Sequence, residues 1–226
     1  MTPKREKQLE DVLAQFLKPI RGIPFEVVIR ALCEAEVLKF DLARDDNRAL
    51  LKQLKEAMRA ACRKVQARPI DRPRPNEVGN DMERFVISAL QEVGLDTAPP
   101  RTRDGKGKST GYPDVRIETT DLPVFLEVKT YAAANHATTQ RSFYLSPSDD
   151  PKVFEDGNHL LVGFEIVHNG NLFKPVAFEI IDLYGLECDM KSEFNSDNKR
   201  LYQKERLLAE ERIPEMDETQ QEGQPE

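Results

Sequence analysis

The stretch DVRIETTDLPVFLEVKTY, residues 114–131, decides how this chain is read. Its two halves, 114–118 and 123–131, are rich in the β-branched and aromatic residues that suit a pleated, half-buried surface. Between them, Thr119, Thr120 and Asp121 carry turn chemistry. A hairpin centred between Thr120 and Asp121 sets Asp114 opposite Glu127, because both lie equally far from that centre. Strand alternation puts Glu127 and Lys129 on one face and Val124, Leu126 and Val128 on the other. Asp114 shares the polar face. Two carboxylates facing each other across a strand pair repel. A lysine beside them and a divalent cation between them resolve the conflict. Hard cations such as Mg²⁺ take carboxylate, carbonyl, water and phosphate oxygens.

Working outward, GNDMERFVISALQEVG (79–94) predicts a helix capped by Asn80 or Asp81 and closed by Gly94, with Phe85, Val86, Ala89, Leu90 and Val93 as its apolar face. Downstream, HLLVGFEIV (159–167) and PVAFEIIDL (175–183) read as strands, and 137–157 reads as loop with a possible short helix. Residues 4–66 read as helical, in segments 6–17, 25–40 and 47–66, with the breaker run KPIRGIP at 18–24. In the third segment Leu50, Leu54, Ala57, Met58, Ala61 and Val65 recur at three- and four-residue steps, one buried stripe. Lys52, Lys55, Arg59 and Arg63 follow the same step on another face, either as a phosphate-contacting surface or as a solvated one. Weak helical periodicity returns over 198–211.

These elements predict an α/β protein: a helical N-terminal subdomain at 1–68, an Arg/Pro-rich linker at 69–78, an α/β core at 79–212 and an acidic, disordered tail at 213–226. With 226 residues, 39% hydrophobic and 32% charged, the chain has an ordinary soluble composition. No stretch approaches the length of a bilayer span, and the charged N-terminus lacks a secretory signal, so the cytoplasm is the expected location. Cys33, Cys62 and Cys188 are odd in number and widely spaced, which excludes a disulfide framework and a zinc-type site. A net charge of −7 argues superficially against a nucleic-acid partner. Residues 205–226, however, hold eight acidic and two basic residues and carry nearly all of that charge. Residues 59–74 set six basic residues against Asp71.

The run Gly111-Tyr112-Pro113-Asp114, followed after an apolar strand by Glu127-Val128-Lys129, resembles the PD-(D/E)XK nuclease signature. Glu83, on the upstream helix, matches the helix acid that many members contribute, and the helix–strand–strand–loop–strand order over 79–183 also fits that superfamily. Within it, the size of the chain and the late segment KSEFNSDNKRLY resemble bacterial type II restriction endonucleases. The resemblance implies a mixed sheet flanked by helices and hydrolysis of double-stranded DNA at a specific site, leaving 5′-phosphate and 3′-hydroxyl ends. It implies Mg²⁺ as cofactor, with Mn²⁺ able to substitute, held by Asp114, Glu127 and the Val128 carbonyl. Lys129 would orient or deprotonate the attacking water, and Glu83 would add an outer or second-metal ligand. Glu83 also suits the start of a helix on electrostatic grounds alone.

Contacts to DNA are expected at two places. Arg101, Arg103, Lys106 and Lys108, in a Gly- and Lys-rich loop that lacks the spacing of a nucleotide-binding P-loop, would steady the phosphate backbone. His136, Thr139, Gln140, Arg141 and Ser142, following the Glu127 strand, would meet the bases, since Gln and Arg make the bidentate contacts that specify adenine and guanine; a polar surface loop is the other reading. His136, His159 and His168 show no metal-ligand spacing. A homodimer is expected, because cutting both strands of a symmetric site is simplest with two-fold symmetry. The alternatives are a structure-specific repair or recombination nuclease on the same core, and a non-catalytic DNA-binding module.

Overall fold

The structure is a computed structural model that describes residues 2–108, 110–139, 143–192 and 194–209. The chain divides into two units, Ile20–Met190 and a unit made of Met1–Pro19 with Lys191–Glu226. The second unit holds helix α1 (Pro3–Phe16), none of whose side chains is buried.

The larger unit runs, in chain order, β1 (Ile20–Pro24), α2 (Phe25–Cys33), β2 (Val37–Leu38), α3 (Asp45–Ala67), β3 (Ile70–Asp71), α4 (Val78–Glu92), β4 (Thr97–Ala98), β5 (Val115–Ile117), β6 (Val124–Tyr131), β7 (Gly157–Asn169), β8 (Leu172–Asp182) and β9 (Glu187–Met190). The main sheet follows the order β3–β8–β7–β6–β5–β4, with β2 pairing β7 at its start. It is mixed: β6 and β7 are parallel, and the β5–β6 and β7–β8 pairs are antiparallel. An α/β architecture with a mixed sheet flanked by helices is therefore what the sequence predicted and what is found.

Period-two alternation along β6 sorts its side chains into two cores. Val124, Leu126 and Val128 pack with Leu54, Met58 and Val65 of α3 and with Met82, Val86 and Leu90 of α4. Phe125 points the other way, into a cluster with Phe25 and Ile29 of α2 and with Tyr112. All six residues of the predicted α3 stripe are buried. Lys52, Lys55, Arg59 and Arg63 lie exposed on its outer side.

Several local expectations are corrected. The helix predicted over 25–40 stops at Cys33, where Glu34 takes a left-handed conformation (φ 56°). The chain then extends, because Glu36 and Phe40 donate backbone N–H groups to Asp156 and Asp182 and Val37–Leu38 joins β7. The breaker run at 18–24 contains β1, which pairs with β9, a partner distant in sequence. In the Arg/Pro-rich stretch, Ile70–Asp71 pairs with the edge of β8. Helix α4 starts at Val78 rather than at a cap on Asn80 or Asp81. Asp81 instead accepts hydrogen bonds from the Arg72 guanidinium at 2.6 and 2.9 Å. Of the weak periodicity at 198–211, the described residues form only the short helix α5 (Asn198–Leu201) and a 3₁₀ turn at Lys204–Arg206.

Candidate active site

The β5–β6 pair has the register that the hairpin centre predicts: Val115 faces Leu126, Arg116 faces Phe125 and Ile117 faces Val124. One step further along the same register, Asp114 lies opposite Glu127. Asp114 Oδ2 accepts the Val128 backbone N–H at 2.8 Å, which ties the carboxylate to the strand carrying its partner. In an extended strand a residue's N–H and C=O point to the same edge. The Val128 carbonyl therefore also faces the Asp114 side, past the end of β5.

Glu127 is only 4% exposed. Its Oε1 accepts from the Lys129 ammonium, and its Oε2 is buried without a hydrogen-bond partner. Burial, reinforced by the negative charge of Asp114, raises its pKa, and the Lys129 ammonium opposes that rise. Glu83, on α4, is half-buried. Its carboxyl is pushed up to about 7, first by burial and then by Asp114, with Lys129 and Lys152 acting in the other direction. Three carboxylates and two ammonium groups thus share one field, and Glu83 and Glu127 are held in an environment that penalises their charge. This is where sequence reasoning placed Asp114, Glu127, Lys129 and Glu83, and the fold brings them together.

The donor set fits a hard divalent cation. An orphaned carboxylate oxygen, a second carboxylate opposite it and a carbonyl at the same edge are oxygen donors of the kind that Mg²⁺ takes alongside waters and phosphate oxygens. No cluster of three or more His, Cys, Asp or Glu side chains with metal-holding geometry occurs among the described residues. The fit is therefore to a cation that keeps much of its water, not to a closed protein cage.

The residues expected to meet DNA are scattered. Arg101 donates to the Gly105 carbonyl at 3.0 Å and, with Arg103 and Lys106, lies exposed on the 101–107 loop. Lys108 turns inward to Ser148 Oγ (2.6 Å) and the Asp150 carbonyl (3.2 Å). His136 is exposed, with Nε2 3.0 Å from Glu179 Oε2 and its ring tilted against Tyr131. Thr139 is exposed. Gln140, Arg141 and Ser142 lie outside the described residues.

Two groups escaped sequence reasoning. Lys152, 6% exposed, donates to the carbonyls of Gly111 and Pro113. His159, fully buried on β7, lies with Nδ1 2.7 Å from the Tyr112 hydroxyl and its ring against Phe25 and Phe125. A lysine inside PSDDPKVFEDG reads as surface, and a lone histidine in an apolar strand carries no ligand spacing. Neither had a local signal.

Fold and site together define an α/β protein with a carboxylate–carboxylate–lysine site at the open end of an antiparallel strand pair. The chain belongs to the MjaV family of type II restriction enzymes, whose family model matches residues 19–205. It is 33% identical over 220 residues to the type II restriction enzyme MjaV of Methanocaldococcus jannaschii, an alignment spanning 90% of this chain and 95% of that relative. No solved structure matches it. The restriction-enzyme resemblance drawn from the motif is thus met at the level of the family, and no helix among the described residues is long and apolar enough to cross a membrane.

Proposed function

We propose that the protein is a Mg²⁺-dependent, site-specific DNA endonuclease of the PD-(D/E)XK type, acting as a homodimer on double-stranded DNA and leaving 5′-phosphate and 3′-hydroxyl ends. The observation that carries this reading is the pairing of Asp114 with Glu127 across β5 and β6, with Lys129 on the face of Glu127. Asp114, Glu127 and the Val128 carbonyl would hold the cation, with Glu83 further out. When bound, the cation would lower the pKa of a coordinated water and offset charge on the scissile phosphate. Lys129 contributes a positive charge beside Glu127 and would orient the attacking water and steady charge as it develops on the phosphate oxygens. The buried wall of Glu127, Phe125 and Tyr112 excludes bulk water from that side and strengthens each of these interactions. The exposed Arg101, Arg103 and Lys106 would steady the phosphate backbone ahead of Asp114.

The test is a digest of assorted plasmid and phage DNAs with Mg²⁺ or with EDTA, beside Lys129→Ala. Discrete fragments that need Mg²⁺ and vanish in the variant are expected. Cutting confined to branched substrates would assign the site to repair or recombination. A mobility shift equal in both proteins, without cleavage, would leave a binding module.

A further inference from the structure

Lys152 lies in the irregular connection between β6 and β7, yet it is as buried as a core side chain. Its Nζ donates to the Gly111 carbonyl at 2.6 Å and to the Pro113 carbonyl at 3.0 Å. Those carbonyls bracket Tyr112 and lead straight into Asp114. An ammonium is costly to bury unless it is compensated. Lys152 makes no ion pair among the described residues, so two carbonyl dipoles and the nearby carboxylates of Asp114, Glu127 and Glu83 must supply that compensation.

The same short turn is anchored twice more. The Tyr112 ring sits edge-on to Phe25 and Phe143, with its hydroxyl on His159. Asp114 itself takes the Val128 N–H. The ammonium makes stronger hydrogen bonds to these carbonyls than a neutral donor would. A buried cation at this position also offsets the repulsion between carboxylates that the fold forces together.

We propose that Lys152 is a positioning residue of the cation site: by clamping the Gly111 and Pro113 carbonyls it fixes Asp114 opposite Glu127 and so sets the affinity for a divalent cation. This rests on Asp114 and Glu127 being the cation ligands. Outer partners that orient a ligand typically carry tenfold to hundredfold of metal affinity.

The experiment is Mn²⁺ titration of the full chain by calorimetry without DNA, for wild type, Lys152→Met and Glu127→Gln, alongside DNA mobility shifts in EDTA and thermal midpoints. Lys152→Met is expected to weaken Mn²⁺ binding roughly 10- to 100-fold and to leave the mobility shift in EDTA unchanged. A merely structural role would instead lower the shift and the thermal midpoint together. Mn²⁺ affinity within about twofold of wild type, while Glu127→Gln abolishes it, would overturn the role of Lys152 alone. No saturable Mn²⁺ binding by wild type would overturn the cation site and this inference with it. If Met at this position prevents folding, Lys152→Gln, a shorter uncharged side chain that cannot bridge both carbonyls, is read in the same titration, and wild-type affinity there refutes the proposal.

Discussion

His159 makes the stability of this protein depend on pH in a way that can be worked out in advance. The ring is fully buried against Phe25, Phe125 and Tyr112, and its Nε2 has no hydrogen-bond partner. A second proton would place in the core a charge with no counter-ion. Burial accordingly lowers its pKa from 6.5 to about 3. The sign follows from linkage. The unfolded chain takes up the proton first, so the contribution is intact above the unfolded value and is lost progressively as pH falls toward the folded one. At about pH 4.5, some two units below the unfolded value, the loss is about 3 kcal/mol. The perturbation is His159→Gln, which keeps a partner for the Tyr112 hydroxyl and cannot titrate. Urea unfolding of both proteins at about pH 7.5 and about pH 4.5 isolates the effect, because every other titrating group is common to the pair. The variant is expected to be less stable at the higher pH, through lost packing. That deficit should shrink or reverse by about 3 kcal/mol at the lower one. A difference between the two proteins that does not change with pH would refute the reasoning.

Lys129→Ala should lower the cleavage rate by about 10²- to 10³-fold, the scale of losing one electrostatic donor to a developing charge, measured by plasmid digestion at saturating Mg²⁺. Glu127→Gln should abolish cleavage and raise the thermal midpoint in EDTA, since it removes a buried carboxylate facing Asp114; a lowered midpoint would contradict the repulsion inferred there. Leu54→Ala, in the shared core of α3, α4 and the sheet, should cost about 2–5 kcal/mol in urea unfolding. Gly157→Ala would bring its Cβ to 2.6 Å from the Pro123 carbonyl oxygen and 3.0 Å from the Phe125 ring. It should destabilise by about 1–3 kcal/mol and broaden amide signals at the start of β6 and β7.

What the sequence by itself determined is what repeats along it. Alternation in VFLEVK placed Glu127 and Lys129 on one face of β6, and symmetry about the Thr120–Asp121 centre set Asp114 opposite Glu127. The three- and four-residue steps from Leu50 to Val65 marked the buried side of α3. Each is a local periodicity that survives because one face of the element must leave water. What only the tertiary structure decided are contacts whose partners lie far apart in the chain and share no period. Pairing with β7 ended α2 at Cys33 and drew Val37–Leu38 into the sheet. β1 found β9 across most of the chain. Lys152 turned from an ordinary loop lysine into a buried clamp, because the Gly111 and Pro113 carbonyls had no secondary-structure partner of their own and an ammonium could reach both. A backbone polar group removed from water must be satisfied by whatever the fold brings near it, and which side chain that is depends on docking rather than on its neighbours in sequence.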